Sequence, residues 1–152
     1  GGRLVNNALF WISRSGDGHL YIVIMSLLLV FRPAEWKIIF VCGACAFTVK
    51  LCLYFLVKKK VKRDRPFEKI EGISFLIQPP DQFSFPSGHT ASAFMVSIVL
   101  GNFYSIIMFP MLTWATIVGF SRIYLGVHYP TDVLAGTLLG IASAMIGLRF
   151  IA

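Results

Sequence analysis

Apolar residues along this chain gather into long blocks rather than alternating stripes, and the blocks are separated by short polar breaks. Leu4 to Ile12 is mostly apolar but carries Asn6 and Asn7. It is too short to cross a bilayer, which predicts an interfacial helix or the tail of a span. Ser13-Arg14-Ser15-Gly16-Asp17-Gly18 then breaks it, as a Gly- and Ser-rich run should. Leu20 to Phe31 is apolar throughout yet has only 12 residues, about 18 Å as helix against a hydrocarbon core of about 30 Å. The first span is therefore expected to be short or missing. After a turn at Arg32-Pro33-Ala34-Glu35, Trp36 to Val57 reads as a clear span, interrupted by Lys37 and Lys50. Three more follow: Pro86 to Phe109, Met111 to Leu125 beyond Pro110, and Pro130 to Ala152. Gly136, Gly140 and Ala144 repeat every four residues on the last one, a spacing that suits an internal packing seam.

The connection from Lys58 to Phe85 is long and polar for a compact domain, and such loops are usually functional. Within it, Ser74-Phe75-Leu76-Ile77-Gln78-Pro79-Pro80 is expected to dip into the headgroup layer. Because the spans alternate in direction, this loop and the turn from 125 to 130 are predicted to share one side of the membrane.

Composition agrees with the pattern. Of 152 residues, 57% are hydrophobic and 14% charged, against about 25% charged in a soluble domain, and the mean hydropathy is +0.75. A soluble domain and a disordered chain are both excluded. The fold class that follows is all-α: a polytopic transmembrane bundle of five to six helices, one domain over 1–152, with its active site at one membrane face.

The formal net charge is +7, and six of the fourteen basic residues fall between Lys58 and Arg65. Long apolar flanks argue against nucleic acid as a partner. Lys59, Lys60, Lys62 and Arg63 are expected to meet lipid headgroups. Cys42, Cys45 and Cys52 lie in one apolar block without a nearby His and read as packing residues.

Ionisable groups inside spans are costly and point to function. Arg122 closes the third strong span, His128 and Asp132 open the fourth, and His89 opens the second. All four are predicted on the side that carries Lys58 and Arg65. Arg supplies a fork matched to phosphate oxygens and Lys a point charge. Ser87 adds a hydroxyl at a helix start, where the dipole favours an anion, and Gly88 allows close backbone approach. Asp132, four residues after His128, can hold one imidazole nitrogen protonated and leave the other to attack phosphorus. His89 can protonate the departing oxygen and later activate water. His89, His128 and Asp132 could alternatively form a two-His-one-carboxylate metal site. Three nearby cations oppose that reading, so no metal and no cofactor is expected.

These residues resemble the three-part signature of the type 2 phosphatidic acid phosphatase superfamily: Lys58-x6-Arg65-Pro66, Pro86-Ser87-Gly88-His89 and Ser121-Arg122-x5-His128-x3-Asp132. The signature covers residues 58–132. The resemblance implies a helical membrane core, usually of six spans, and metal-independent hydrolysis of a phosphomonoester or diphosphate. It implies His128 as nucleophile, Asp132 as its partner and His89 as acid and base. Lys58, Arg65, Ser87, Gly88 and Arg122 are then the phosphate ligands.

The expected function is a lipid phosphatase of the bacterial inner membrane with an outward or periplasmic active site. Its partners are the bilayer and a lipid phosphate, with oligomeric state left open. Undecaprenyl diphosphate is favoured because the charges from Lys59 to Arg63 suit a two-phosphate headgroup. Phosphatidylglycerophosphate, phosphatidic acid and lipid phosphotransfer are alternatives, and a non-catalytic anion-binding scaffold is the competing class. Lys50 is expected to snorkel toward the loop side, the alternative being a lower pocket for a second phosphate. His19 reads as solvated or structural.

Overall fold

The computed structural model describes residues 2–71, 75–79 and 81–150. Regular structure among them is wholly helical, in seven segments: α1 Arg3–Ser15, α2 Gly18–Phe31, α3 Pro33–Val61, α4 Pro66–Lys69, α5 Gly88–Phe103, α6 Ser105–Tyr124 and α7 Pro130–Arg149. The stretch Ala34–Lys69, α6 and α7 are each long and apolar enough to cross a membrane. The expected short first span is a bent pair instead: α1 and α2 meet at 57° and qualify together. Gly16 and Asp17 form the corner. Large apolar side chains such as Ile22, Phe31, Leu56, Ile106 and Leu138 face outward, as lipid contact requires. The protein is an integral membrane protein.

The 29 residues of α3 make a helix of about 43 Å, longer than the hydrocarbon core. Its last turn, with Lys58, Lys59 and Lys60, therefore emerges at the membrane face. It stops at Lys62, which takes the left-handed conformation (φ 46°) and returns its N–H to the Lys58 carbonyl, an ending more often given to glycine.

The short helix α5 is the hub, packed against α3, α6 and α7. The predicted glycine seam of α7 explains how closely they meet. A Cβ on Gly136 would lie 2.5 Å from the Ser87 carbonyl oxygen, and one on Gly140 2.4 Å from that of Ala91. Gly136, Gly140 and Ala144 are all buried, so the seam is internal. It brings the start of α5 against the start of α7. Cys42 sits in the apolar core with Ala46, Met95, Val99 and Ala144, and all three cysteines are free.

One predicted boundary is wrong. The break between the second and third strong spans falls at Tyr104, and Pro110 lies inside α6. The reversal is possible because Gly101 has no side chain: a Cβ there would come within 2.5 Å of Met108 Sδ. Pro110 then deletes one helical hydrogen bond near the start of α6, a defect that membrane helices tolerate.

The long loop folds back as expected. Ser84 donates its N–H to the Arg63 carbonyl at 2.8 Å, and Leu76 donates to the Leu125 carbonyl at 3.2 Å. The 58–85 loop and the 125–130 turn thus touch on one side. Phe75 and Leu76 remain about half exposed, whereas Ser74 and Pro80 of the expected headgroup segment lie outside the described residues.

Candidate active site

Where the emerging end of α3, the start of α5, the end of α6 and the α1–α2 corner converge, they line a polar cavity of about 260 Å³. Four cations line it (Lys50, Lys58, Arg65 and Arg122), with two carboxylates (Asp17 and Asp81) and both His89 and His128. Six of the eight residues expected from the sequence reach this cavity: Lys58, Arg65, Gly88, His89, Arg122 and His128. Gly88 does so because it is bare, a Cβ there meeting the Tyr54 ring at 3.1 Å.

Ser87 and Asp132 stand behind it, both fully buried. The Ser87 hydroxyl pairs with that of Thr90 at 2.9 Å, and its N–H donates to the Asp132 carbonyl at 3.0 Å. Asp132 is a shared carboxylate. Oδ1 accepts from Arg63 Nη1 at 2.9 Å and Oδ2 from the Tyr129 N–H at 2.8 Å. His128 Nδ1 lies 3.6 Å from Oδ2, an ion-pair distance beyond ordinary hydrogen-bond length. The expected firm hydrogen bond is therefore loose in this state, because two other donors already hold the oxygens. Burial pushes the His128 imidazole from 6.5 down to about 4, Arg122 and Arg65 adding repulsion against the pull of Asp132. It is a neutral base at physiological pH.

His89 is held by a residue that sequence reading passed over. Its Nε2 meets Asp17 Oδ1 at 2.6 Å, and Asp17 caps the corner that begins α2. The N-terminal pair therefore forms one wall of the site. Ser13 of α1 also accepts from Arg122 Nη1 at 2.7 Å. Arg122 is 2% exposed, and its Nε and Nη2 have no partner among the described residues. A buried guanidinium with two free donors is costly unless it meets an anion.

The other two signature cations are bonded to the protein. Asp81 receives Lys58 Nζ at 2.5 Å, Arg65 Nη2 at 2.6 Å and Tyr54 Oη at 2.8 Å. Burial alone would raise its carboxyl, yet the bonds from Lys58 and Tyr54 and the nearby charges hold it below the usual range. Arg65 spends its remaining donors on the carbonyls of Asp81, Phe83 and Val127. It clasps the long loop to the 125–130 turn as well as lining the cavity.

Two expectations shift, those for Arg63 and Lys50. Arg63 is not left to a headgroup: it bonds Asp132 and Thr131 and lies 3.9 Å over the Tyr129 ring. Lys59 and Lys60 face outward. Lys50 does not snorkel, being 6% exposed and inside the cavity. His19 is exposed. Among the described residues His89, His128 and Asp132 do not gather as a metal-binding set: His89 bonds Asp17, while His128 faces Asp132. Asp17 and Asp81 could have been suspected only as charges flanking apolar runs; neither carries a motif.

A family model described as the PAP2 superfamily matches residues 34–152. The chain is 31% identical over 142 residues to an undecaprenyl-diphosphatase of Sulfolobus acidocaldarius, covering 90% of this chain and 66% of that protein. It is 37% identical over 113 residues to a decaprenylphosphoryl-5-phosphoribose phosphatase of Mycobacterium tuberculosis, covering 72% and 57%. The chain thus spans less than two thirds of these relatives' length. Among solved structures it is similar to LpxE of Aquifex aeolicus, with a TM-score of 0.83 and 28% identity over 98% of this chain and 88% of that one. A phosphatidylglycerolphosphate phosphatase of Bacillus subtilis shares the fold, with a TM-score of 0.78 at 23% identity, covering 99% and 78%.

Proposed function

The chain belongs to the PAP2 superfamily, and from that premise we propose that it is a membrane lipid phosphatase working through a phosphohistidine without a metal. What supports this most is Arg122, buried with two unpartnered donors in a cavity shared by two imidazoles. The anion that satisfies such a group has several oxygens, and a phosphate on a lipid fits both the donors and the setting.

In this reading His128 Nε2 attacks phosphorus while Nδ1 faces Asp132. The bond to the leaving oxygen breaks, and His89 supplies a proton where that oxygen needs one. Water, deprotonated by His89, then splits the phosphorus–nitrogen bond and releases phosphate. Lys58, Arg65, Arg122 and the Gly88 backbone bind the transferred group, with Asp81 yielding its place on Lys58 and Arg65, while Ser87 stays behind them on Thr90. Asp132 takes up the positive charge that develops on His128. Residues 1–152 act as one membrane-embedded unit, in a bacterial inner membrane with the site facing outward. Undecaprenyl diphosphate is the favoured substrate, since the Sulfolobus relative is an undecaprenyl-diphosphatase, ahead of phosphatidylglycerophosphate and phosphatidic acid.

The test is a panel of purified lipid phosphates and diphosphates in detergent with excess EDTA, wild type beside His128→Ala. Wild type releases phosphate and the variant is slower by about 10⁴-fold or more, while its melting profile stays cooperative. Equal turnover in both proteins would sink the nucleophile assignment. No turnover of any lipid by wild type would favour an anion-binding scaffold.

A further inference from the structure

Lys50 is the cation that the mechanism leaves unused. It lies eight residues before Lys58 on α3, so positions 50, 54 and 58 share one helix face. Lys58 and Arg65 are paired with Asp81, Arg63 with Asp132, and His89 with Asp17. Among the described residues, no carboxylate stands within ion-pair distance of Lys50. Its ammonium lies 4.5 Å from the Phe47 ring centroid and 6.0 Å from that of Tyr54, while Lys58 Nζ lies 4.6 Å from the same Tyr54 ring. Aromatic faces offset little of the cost of a nine-tenths buried ammonium.

Another cavity gives this placement its sense. An apolar space of about 730 Å³ lies between α2, α3 and α5, lined by side chains such as Ile24, Met25, Trp36, Ile39 and Val99. It shares Gly18, Tyr21 and Phe47 with the polar cavity. Along α3 the order is therefore apolar space, Phe47 at the boundary, Lys50, Tyr54 and then Lys58, in the cavity that also holds the histidines. A lipid diphosphate has the same order: chain, inner phosphate, outer phosphate.

The geometry points to Lys50 as the binding residue for the inner phosphate of a lipid diphosphate, the group that leaves when the outer phosphate is transferred. This rests on the phosphatase reading above and replaces the Lys59–Arg63 run as the ground for a two-phosphate headgroup. As His128 Nε2 bonds to the outer phosphorus, the bond from that phosphorus to the bridging oxygen breaks. Its electron pair stays on the bridging oxygen, which becomes an oxygen of the lipid monophosphate. That group gains charge in the step, and the Lys50 ammonium stands where it can offset the gain. A lipid monophosphate whose leaving group is an alcohol presents nothing comparable to Lys50.

The experiment compares kcat/KM for an isoprenoid diphosphate and for phosphatidic acid in wild type, Lys50→Met and Lys50→Arg. In Lys50→Met the ratio of diphosphate to monophosphate turnover falls by about 10²-fold, and Lys50→Arg restores most of it. An unchanged ratio, or equal slowing of both substrates, overturns the assignment. Thermal melting with inorganic diphosphate or orthophosphate reads the same subsite without turnover. Diphosphate raises the wild-type melting temperature more than orthophosphate does, and Lys50→Met loses the difference. A wild type that turned over neither lipid yet showed this Lys50-dependent difference would break the phosphatase reading and keep the subsite. Absence of the difference in wild type removes the subsite itself.

Discussion

His128 and Asp132 stand four residues apart at the mouth of α7, whereas His89 and Asp17 are separated by 72 residues and joined only by the fold. The near pair is the looser, at 3.6 Å against 2.6 Å. Proximity in sequence fixes which groups meet, but competition for lone pairs fixes how tightly. Asp132 is buried and already serves Arg63 and the Tyr129 N–H. Among the described residues the Asp17 carboxylate has one remote second partner, Arg14 at 3.9 Å. In the proposed reaction a nucleophile gains from this arrangement, since its imidazole stays neutral until phosphorus is attacked and the carboxylate can take up the charge as it develops. A proton donor gains from the reverse, a firm bond that sets ring orientation before substrate arrives.

After loss of His128 itself, the largest effect expected comes from Arg122. Arg122 is tied to the N-terminal wall through Ser13 and acts by its charge on His128. Arg122→Gln keeps a polar end but removes the fork and the charge. Hydrolysis of a lipid phosphate should slow by about 10²–10³-fold, with orthovanadate inhibition weakened in parallel. Slowing of less than about tenfold in single-turnover assays would show that the cations bonded to Asp81 do most of the binding.

Next comes the pH dependence of stability, which tests whether His128 is held neutral. Unfolded, its imidazole takes a proton below about 6.5, and folded only near 4. Its contribution is therefore whole above pH 6.5 and is lost as the pH falls toward 4. It amounts to about 3 kcal/mol across that window. Melting of wild type and His128→Ala in detergent should converge by that much between pH 6.5 and 4. Parallel profiles would mean that the near pair is charged in the folded state.

These contrasts also mark what was legible in the sequence. Blocks of apolar residues give the spans, because lipid demands uniform apolarity over a fixed length. His128 and Asp132 are readable as a pair because four residues at a helix start leave little freedom. The side-sharing of the two loops follows from counting crossings. Asp17 was not readable: its meeting with His89 depends on a 57° bend and on α1 lying against α6, and nothing local encodes either. Asp81 sits in an irregular loop whose path is set by carbonyls bonded to Arg65. The break at Tyr104 was misplaced at Pro110 because proline is a louder local signal than a bare glycine meeting Met108. The place of Lys50 is not legible either, because snorkelling is the usual fate of a lysine in a span and the cavity that holds it is formed only by the fold.

The distant pair is broken by Asp17→Asn. The amide keeps the shape and can still bond the ring, but it cannot bear the charge that favours a proton donor. The expected outcome is a kcat lower by about 10- to 30-fold with KM nearly constant, since proton transfer contributes about 10²-fold or more. The loss should shrink on substrates whose leaving group needs no proton. A change in KM alone would make Asp17 a binding residue rather than a positioning one.

The smallest effect separates the near pair from its competitor. Arg63 is half-exposed, and removing it by Arg63→Gln frees Asp132 Oδ1 while leaving the Tyr129 N–H on Oδ2. Two consequences oppose each other. The imidazolium formed by His128 meets a less occupied carboxylate, which favours attack, while Asp132 and Tyr129 lose a neighbour that fixes their positions. Because a half-exposed ion pair is worth about 1 kcal/mol or less, kcat should change by no more than about fivefold. Stability should fall by a similar small amount. A drop in kcat as large as that of Arg122→Gln would place Arg63 among the groups that touch phosphate. It would also mean that Asp132 is released from Arg63 when substrate binds.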